Sequence, residues 1–156
     1  MIVAKQSDIN HKYQIIKLLT EVVDNRYLSQ QIAFKGGTCA EMSGFLDRFS
    51  IDLDFDIVSQ DVDGDKFNLE VNKIVDLLGL KNLTSNKESF LFNFKYKAPL
   101  NQRNTLKLSF YRDIPKSNDY EFRFLPDIGR LVRCQTLPTI FANKLVAPTD
   151  RFERHN

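Results

Sequence analysis

Two hydrophobic periods, one near 3.6 residues and one of 2, alternate along this sequence and predict an α+β fold with helices flanking a sheet. The helical period is clearest where Ile9, Tyr13, Ile16, Leu19, Val22 and Val23 recur at three- and four-residue spacing. The strand period is clearest over 50–57, and again in Phe90, Phe92, Phe94 and Tyr96 and in Leu106, Leu108 and Phe110.

Taken in order, the first amphipathic run predicts a helix over 7–24. The short apolar run 31–35 reads as a strand closed by the tight turn Gly36-Gly37, after which Thr38 is positioned to cap a short helix over 38–47. The alternating strand 50–57 follows. Asp65 is the expected N-cap of a second helix over 66–79, which carries Phe67, Val71, Ile74, Val75 and Leu78 and stops at Gly79. Strands are expected over 81–85, 89–97 and 104–112. Residues 115–130, with Pro115, Pro126 and Gly129, read as loop, although 120–124 offers a further strand; a last helix runs from about 136 to 147.

At 156 residues, with 42% apolar and 27% charged residues, the chain is read as one folded domain with a core of its own. A net charge of +2, without a run of Lys or Arg longer than two, makes no case for nucleic acid by charge alone. Cys39 and Cys134 lack metal-ligand spacing, which fits a reduced, cytoplasmic protein without a zinc site. The start at Met1 has no signal-peptide pattern, and no apolar run approaches membrane-spanning length.

The chemistry is concentrated in the strand Ser50-Ile51-Asp52-Leu53-Asp54-Phe55-Asp56-Ile57. Strand residues i and i+2 share a face about 6.6 Å apart, so Ile51, Leu53, Phe55 and Ile57 point to the core and Asp52, Asp54 and Asp56 line up opposite. Each carboxylate pair costs on the order of 2–3 kcal/mol at an effective dielectric near 20 before water or counterions relieve it. Aspartates set this way suit a hard divalent cation such as Mg²⁺, held by one or two carboxylates together with substrate phosphates. Asp56 is open to two readings, a third acid or a residue facing water, and the second is preferred.

Around that strand lie further candidates. Gly36-Gly37-Thr38, at a strand-to-helix junction, allows backbone N–H groups to approach a phosphate, though a bland turn has the same sequence. Arg48 either pairs a triphosphate or is a surface charge beside Asp52, and Ser50 shares the aspartates' face. Lys144 falls within a stripe of Ile140, Phe141, Leu145 and Pro148, so it either aims at phosphates or snorkels to water. Lys107 shares a face with Thr105 and Ser109, which reads first as the solvent side of a strand. His11 and His155 stand in polar company without a triad partner.

Together, Phe34-Lys35-Gly36-Gly37-Thr38, Arg48-Phe49-Ser50 and the acidic strand resemble the AbiEii/AbiGii toxin family, the MenT-like nucleotidyltransferases of the polymerase-beta-like superfamily. Lys107 with Ser109 resembles that family's second motif, and Lys144 through Ala147 with Arg151 its later Lys-x-x-Ala-x-x-x-Arg segment. The resemblance implies a mixed, mostly antiparallel sheet flanked by helices and transfer of a nucleoside monophosphate from an NTP to an acceptor such as a tRNA end. It further implies Mg²⁺ or Mn²⁺, a cognate antitoxin partner and no membrane association. Asp52 and Asp54 become metal ligands, Lys144 a catalytic lysine, and Lys35, Gly36, Gly37, Thr38, Arg48, Ser50 and Lys107 the nucleotide-binding set. Lys107 and Ser109 stand where related folds carry a third carboxylate, with Asp113 only at the strand end. The sequence reaches Asn156 before the family's Arg-Asp-x-x-Asp helix, so residues 1–156 are expected to be the catalytic domain without the C-terminal helical part. The alternatives are a catalytically incomplete nucleotide- or partner-binding module, or a metal-dependent phosphohydrolase or nuclease.

Overall fold

A single seven-stranded sheet organises the chain, and the sequence explains which residues enter it. The computed structural model describes residues 5–86 and 88–153; the side chains of 85 and 146–153, including those of Ala147, Pro148 and Arg151, lie outside the described residues. Within these bounds the elements are α1 (Gln6–Asp24), α2 (Arg26–Gln31), β1 (Ile32–Lys35), α3 (Gly36–Met42), β2 (Asp52–Ile57), α4 (Gly64–Leu77), β3 (Lys81–Asn86), β4 (Leu91–Lys95), β5 (Thr105–Tyr111), β6 (Tyr120–Leu125), β7 (Arg130–Gln135) and α5 (Leu137–Glu153).

The sheet order is β3-β4-β5-β2-β1-β7-β6. Two neighbouring pairs, β2 with β5 and β1 with β7, are parallel and the others antiparallel, so the sheet is mixed and mostly antiparallel. The β1–β7 ladder is reduced to one aligned pair, Phe34 with Cys134.

The phenylalanine-rich composition is explained by one buried seam. Phe34, Phe55 and Phe110 lie side by side on β1, β2 and β5, with ring centroids 5.2 and 5.4 Å apart. Phe67 of α4 meets Phe90 and Phe110 at 4.8 and 4.7 Å. Ile15, Leu18, Leu19 and Val22 of α1 complete the same core. Burying each such side chain is worth about 1.5–3 kcal/mol, and the seam fixes which face of β2 turns inward. Asp52, Asp54 and Asp56 are thereby committed to the other face.

Several sequence expectations are corrected. Thr38 does not cap α3, which begins at Gly36; its hydroxyl instead donates to the Asp52 carbonyl. Asp63, not Asp65, caps α4, accepting from the Lys66 N–H at 3.1 Å, while Asp65 lies in the first turn. The further strand offered at 120–124 forms as β6, whereas β7 was not expected, because Leu131 and Val132 blur the alternation by being apolar on both faces. Helix α2 was not expected; Asn25 caps it by accepting from the N–H groups of Tyr27 and Leu28 at 3.1 and 2.9 Å.

Candidate active site

The site is built where β1 runs into α3 beside the start of β2. Gly36 adopts φ +81°, a conformation L side chains rarely accept, and a Cβ there would stand 3.1 Å from Asp54 Oδ2. A Cβ on Gly37 would stand 2.5 Å from Arg48 Nη2 and 3.1 Å from Ser50 Oγ. The glycine pair is therefore needed for close approach on two sides. Its backbone, the two acids, Arg48 and Ser50 converge on one open cleft of about 300 Å³. Larger hollows lie beside Arg112, about 370 Å³, and beside Lys97, about 460 Å³, but neither contains a carboxylate. The smaller cleft is the one that gathers chemistry.

Backbone and buried residues hold this geometry. The Thr38 hydroxyl ties α3 to the β2 backbone at Asp52. Glu41 accepts from the Ser50 N–H at 3.0 Å and is itself paired with Lys12 at 2.6 Å. These are support residues that sequence reading missed, because nothing local links Lys12 and Glu41 to residue 50. His11, expected in polar company, is 1% exposed. Tyr96 donates to the Arg103 carbonyl at 2.7 Å, so at 2.7 Å its oxygen accepts from His11 Nδ1. Burial, then Arg103, pulls the His11 pKa below its ordinary value. His11 is a neutral core group packed near Phe49, which flanks Ser50.

The three aspartates have different surroundings. Among the described residues Asp54 accepts one long hydrogen bond, 3.3 Å, from the Tyr111 hydroxyl. Burial, followed by the neighbouring Asp52, pushes its pKa above the ordinary carboxylate value, with Lys107, Tyr111 and Lys35 acting in the opposite direction. Asp56 does not face water. It is fully buried, ion-paired with Lys35 at 2.9 Å, and accepts from Tyr120 at 2.7 Å and Gln135 at 2.8 Å. The preference for a water-facing Asp56 fails because β6 and β7 bring polar partners across the sheet. Burial, then this hydrogen bond to Asp56, raises the Tyr120 pKa.

The lysines are likewise resolved. Lys35 Nζ, besides pairing with Asp56, lies 4.1 Å from the Tyr111 ring centroid. Lys107 stands directly opposite Asp52 in the β2–β5 ladder, and Ser109 opposite Asp54. Lys107 is partly buried and acts on Asp54, so its side of β5 is the site face and not merely solvent. The stripe proposed around Lys144 does not hold as an inward face: Ile140 is buried, but Phe141 and Leu145 are 47% and 76% exposed. Lys144 nevertheless comes close to Arg48; burial and that guanidinium lower its pKa. Of the predicted set, Gly37, Thr38, Arg48, Ser50, Asp52 and Asp54 line the cleft; Gly36 packs against Asp54, Lys107 acts on Asp54 and Arg48 on Lys144, and Lys35 is tied to Asp56.

Among the described residues no group of three or more His, Cys, Asp or Glu side chains converges as a metal cage. A pair of adjacent carboxylates still fits Mg²⁺ or Mn²⁺, since such ions are held by one or two carboxylates with substrate phosphates supplying the rest. The observation in favour is that Asp52 and Asp54, on one face of β2, line the same open cleft. A Gly-Gly turn beside paired strand acids is the arrangement that the resemblance to nucleotidyltransferases implies. The chain belongs to the family described as nucleotidyl transferase AbiEii toxin, type IV toxin–antitoxin system, whose profile matches residues 17–155.

Two solved structures share the fold. One is the crystal structure described as a "putative nucleotidyltransferase" from Helicobacter pylori, at 23% identity and a TM-score of 0.60, covering 91% of this chain. The other, JHP933 from Helicobacter pylori, has 21% identity and a TM-score of 0.57 and covers 92% of this chain. The chain spans 59% and 58% of the lengths of those two proteins. Among curated proteins, none matches this sequence. No helix among the described residues is long and apolar enough to cross a membrane.

Proposed function

We propose that the cleft transfers a nucleoside monophosphate from an NTP to the 3′ hydroxyl of an RNA such as a tRNA, as the cytoplasmic toxin of a toxin–antitoxin pair restrained by a cognate antitoxin. The observation carrying this reading is the packing of Gly36 against Asp54 and of Gly37 against Arg48 and Ser50. Room for a phosphate chain lies between the two carboxylates and a guanidinium.

In this mechanism Asp52 and Asp54 hold Mg²⁺ or Mn²⁺. When bound, the ion supplies charge neutralisation at the phosphoryl oxygens and an acidified acceptor hydroxyl. The glycine turn offers backbone N–H groups, and Arg48 offers a planar fork to the phosphate tail. Ser50 is fixed by Glu41 to donate from its hydroxyl, and Lys144, beside Arg48, adds a cation toward the leaving pyrophosphate. Lys107 offsets part of the Asp52/Asp54 repulsion. Lys35, paired to Asp56, does not neutralise Asp54 by a direct ion pair. The acceptor oxygen bonds the α-phosphorus as the bond to pyrophosphate breaks. Catalysis by this chain is then positioning and electrostatic stabilisation.

The test is labelling of RNA from α-labelled NTPs with Mg²⁺. The wild-type chain is expected to extend RNA and release pyrophosphate, and Asp52→Asn with Asp54→Asn to abolish both. Labelling that survives the double substitution would refute the mechanism, and shortened RNA would reassign the cleft to a nuclease.

A further inference from the structure

The modest net charge conceals a division of the chain. Residues 77–112 carry seven lysines and arginines against one acid, Glu88, a net of +6 in a chain of net +2. The sheet register gathers much of this charge on one face. Lys81 stands directly opposite Lys95, and Lys95 opposite Thr105. Lys107 lies between Asn93 and Asp52. Asn93 donates to Thr84 across the β3–β4 bulge at 2.8 Å, which places both on this same face.

Directly opposed like charges destabilise a sheet. Among the described residues no carboxylate forms an ion pair with Lys81, Lys95, Lys97 or Arg103, all of which are exposed. Lys81, Lys95 and Lys97 also line the hollow of about 460 Å³. The positions between the cations are Thr84, Asn93 and Thr105. Protein-binding surfaces are depleted of lysine and centred on apolar or aromatic anchors; on this surface the exposed Leu91, Leu100 and Tyr111 lie at the margins and lysines occupy the middle. It matches a chain of phosphates, whose neutralisation by lysine supplies binding without base contacts.

We propose that the polar face of β3, β4 and β5 is a docking surface for the phosphodiester backbone of single-stranded RNA, which it leads toward the Asp52/Asp54 cleft. From β3 to β2 is three strand spacings, about 14 Å, so the path is short. The inference rests on the nucleotidyl-transfer reading and specifies where the acceptor strand lies.

The test is fluorescence anisotropy of a 5′-labelled single-stranded RNA with the whole chain, without NTP or divalent ion, over a series of salt concentrations. The variant Lys81→Gln/Lys95→Gln/Lys97→Gln is expected to bind more weakly and to lose about 2 from the slope of log K against log salt, at about 0.7 per phosphate contact. The corresponding triple arginine variant is expected to restore binding, and both to keep the wild-type unfolding midpoint. A glutamine variant with the wild-type slope overturns the proposal. So does lysine-dependent binding of polyglutamate with RNA unaffected, which marks a protein-docking face. Single-stranded DNA of the same sequence is expected to bind with the same lysine-dependent slope, as contacts to the backbone alone require; DNA binding that ignores the three lysines overturns the proposal. Asp52→Asn/Asp54→Asn is expected to lose transfer but keep RNA binding. Lysine-dependent RNA binding by a wild-type chain that transfers nothing sinks the transfer reading alone and leaves the surface standing.

Discussion

Asp54 and Asp56 sit two residues apart on one face of one strand, yet their surroundings are opposite. Asp56 is enclosed by a lysine, a tyrosine and a glutamine that satisfy its charge within the fold. Asp54 has one long hydrogen bond, a neighbouring aspartate and a raised pKa. The first carboxylate is part of the architecture, and the second, under the proposed mechanism, is the one left for a metal ion. Identical residue type and identical pattern position are thus divided by what lies across the sheet.

The contrast can be broken from either side. Asp56→Ala strands Lys35 and the donors Asn118, Tyr120 and Gln135, and is expected to cost about 3–5 kcal/mol of stability in urea unfolding. Asp54→Asn is expected to leave the unfolding midpoint level or slightly higher while lowering transfer by about 10²–10³-fold, the effect of losing one preorganised electrostatic group; steady-state labelling measures it. If instead Asp54→Asn unfolds the chain and Asp56→Ala only slows it, the two roles are reversed. Tyr120→Phe sharpens the comparison by deleting one donor to Asp56, with an expected loss of about 1.5–3 kcal/mol. The smallest expected effect is Gly36→Ala, about 1–2 kcal/mol for a forced positive φ, accompanied by weakened metal-dependent activity through contact with Asp54.

These outcomes also mark what the sequence alone could convey. The acidic strand, the glycine turn and Arg48-Phe49-Ser50 were legible because their chemistry is written in short spacings, and the structure gathers them in one cleft. The helix and strand periods likewise located α1, β2, β4 and β5, since each buries one continuous face. The fate of Asp56 was not legible, because Tyr120 and Gln135 lie 64 and 79 residues away in sequence. His11 was misjudged for the same reason, its partner Tyr96 being 85 residues distant. Even the lysine face was hidden by averaging: one half of the sheet is basic, and the aspartate-rich remainder nearly cancels it in the total.

The reduction of the β1–β7 ladder to a single aligned pair has a consequence for how the molecule breathes. The β6–β7 hairpin joins the rest of the sheet by the Phe34–Cys134 pair and by the hydrogen bonds that Tyr120 and Gln135 give Asp56, and it is tied to the helical side by Arg123 to Ser43, Arg130 to Asp24 and Arg133 to the Gln30 carbonyl. With so short a backbone ladder, the hairpin depends on these side-chain ties and is expected to open below the global unfolding free energy. Amide deuterium uptake at Leu131 and Val132 should therefore outpace uptake at Phe55. Each such opening also uncovers Asp56 and loosens its grip on Lys35.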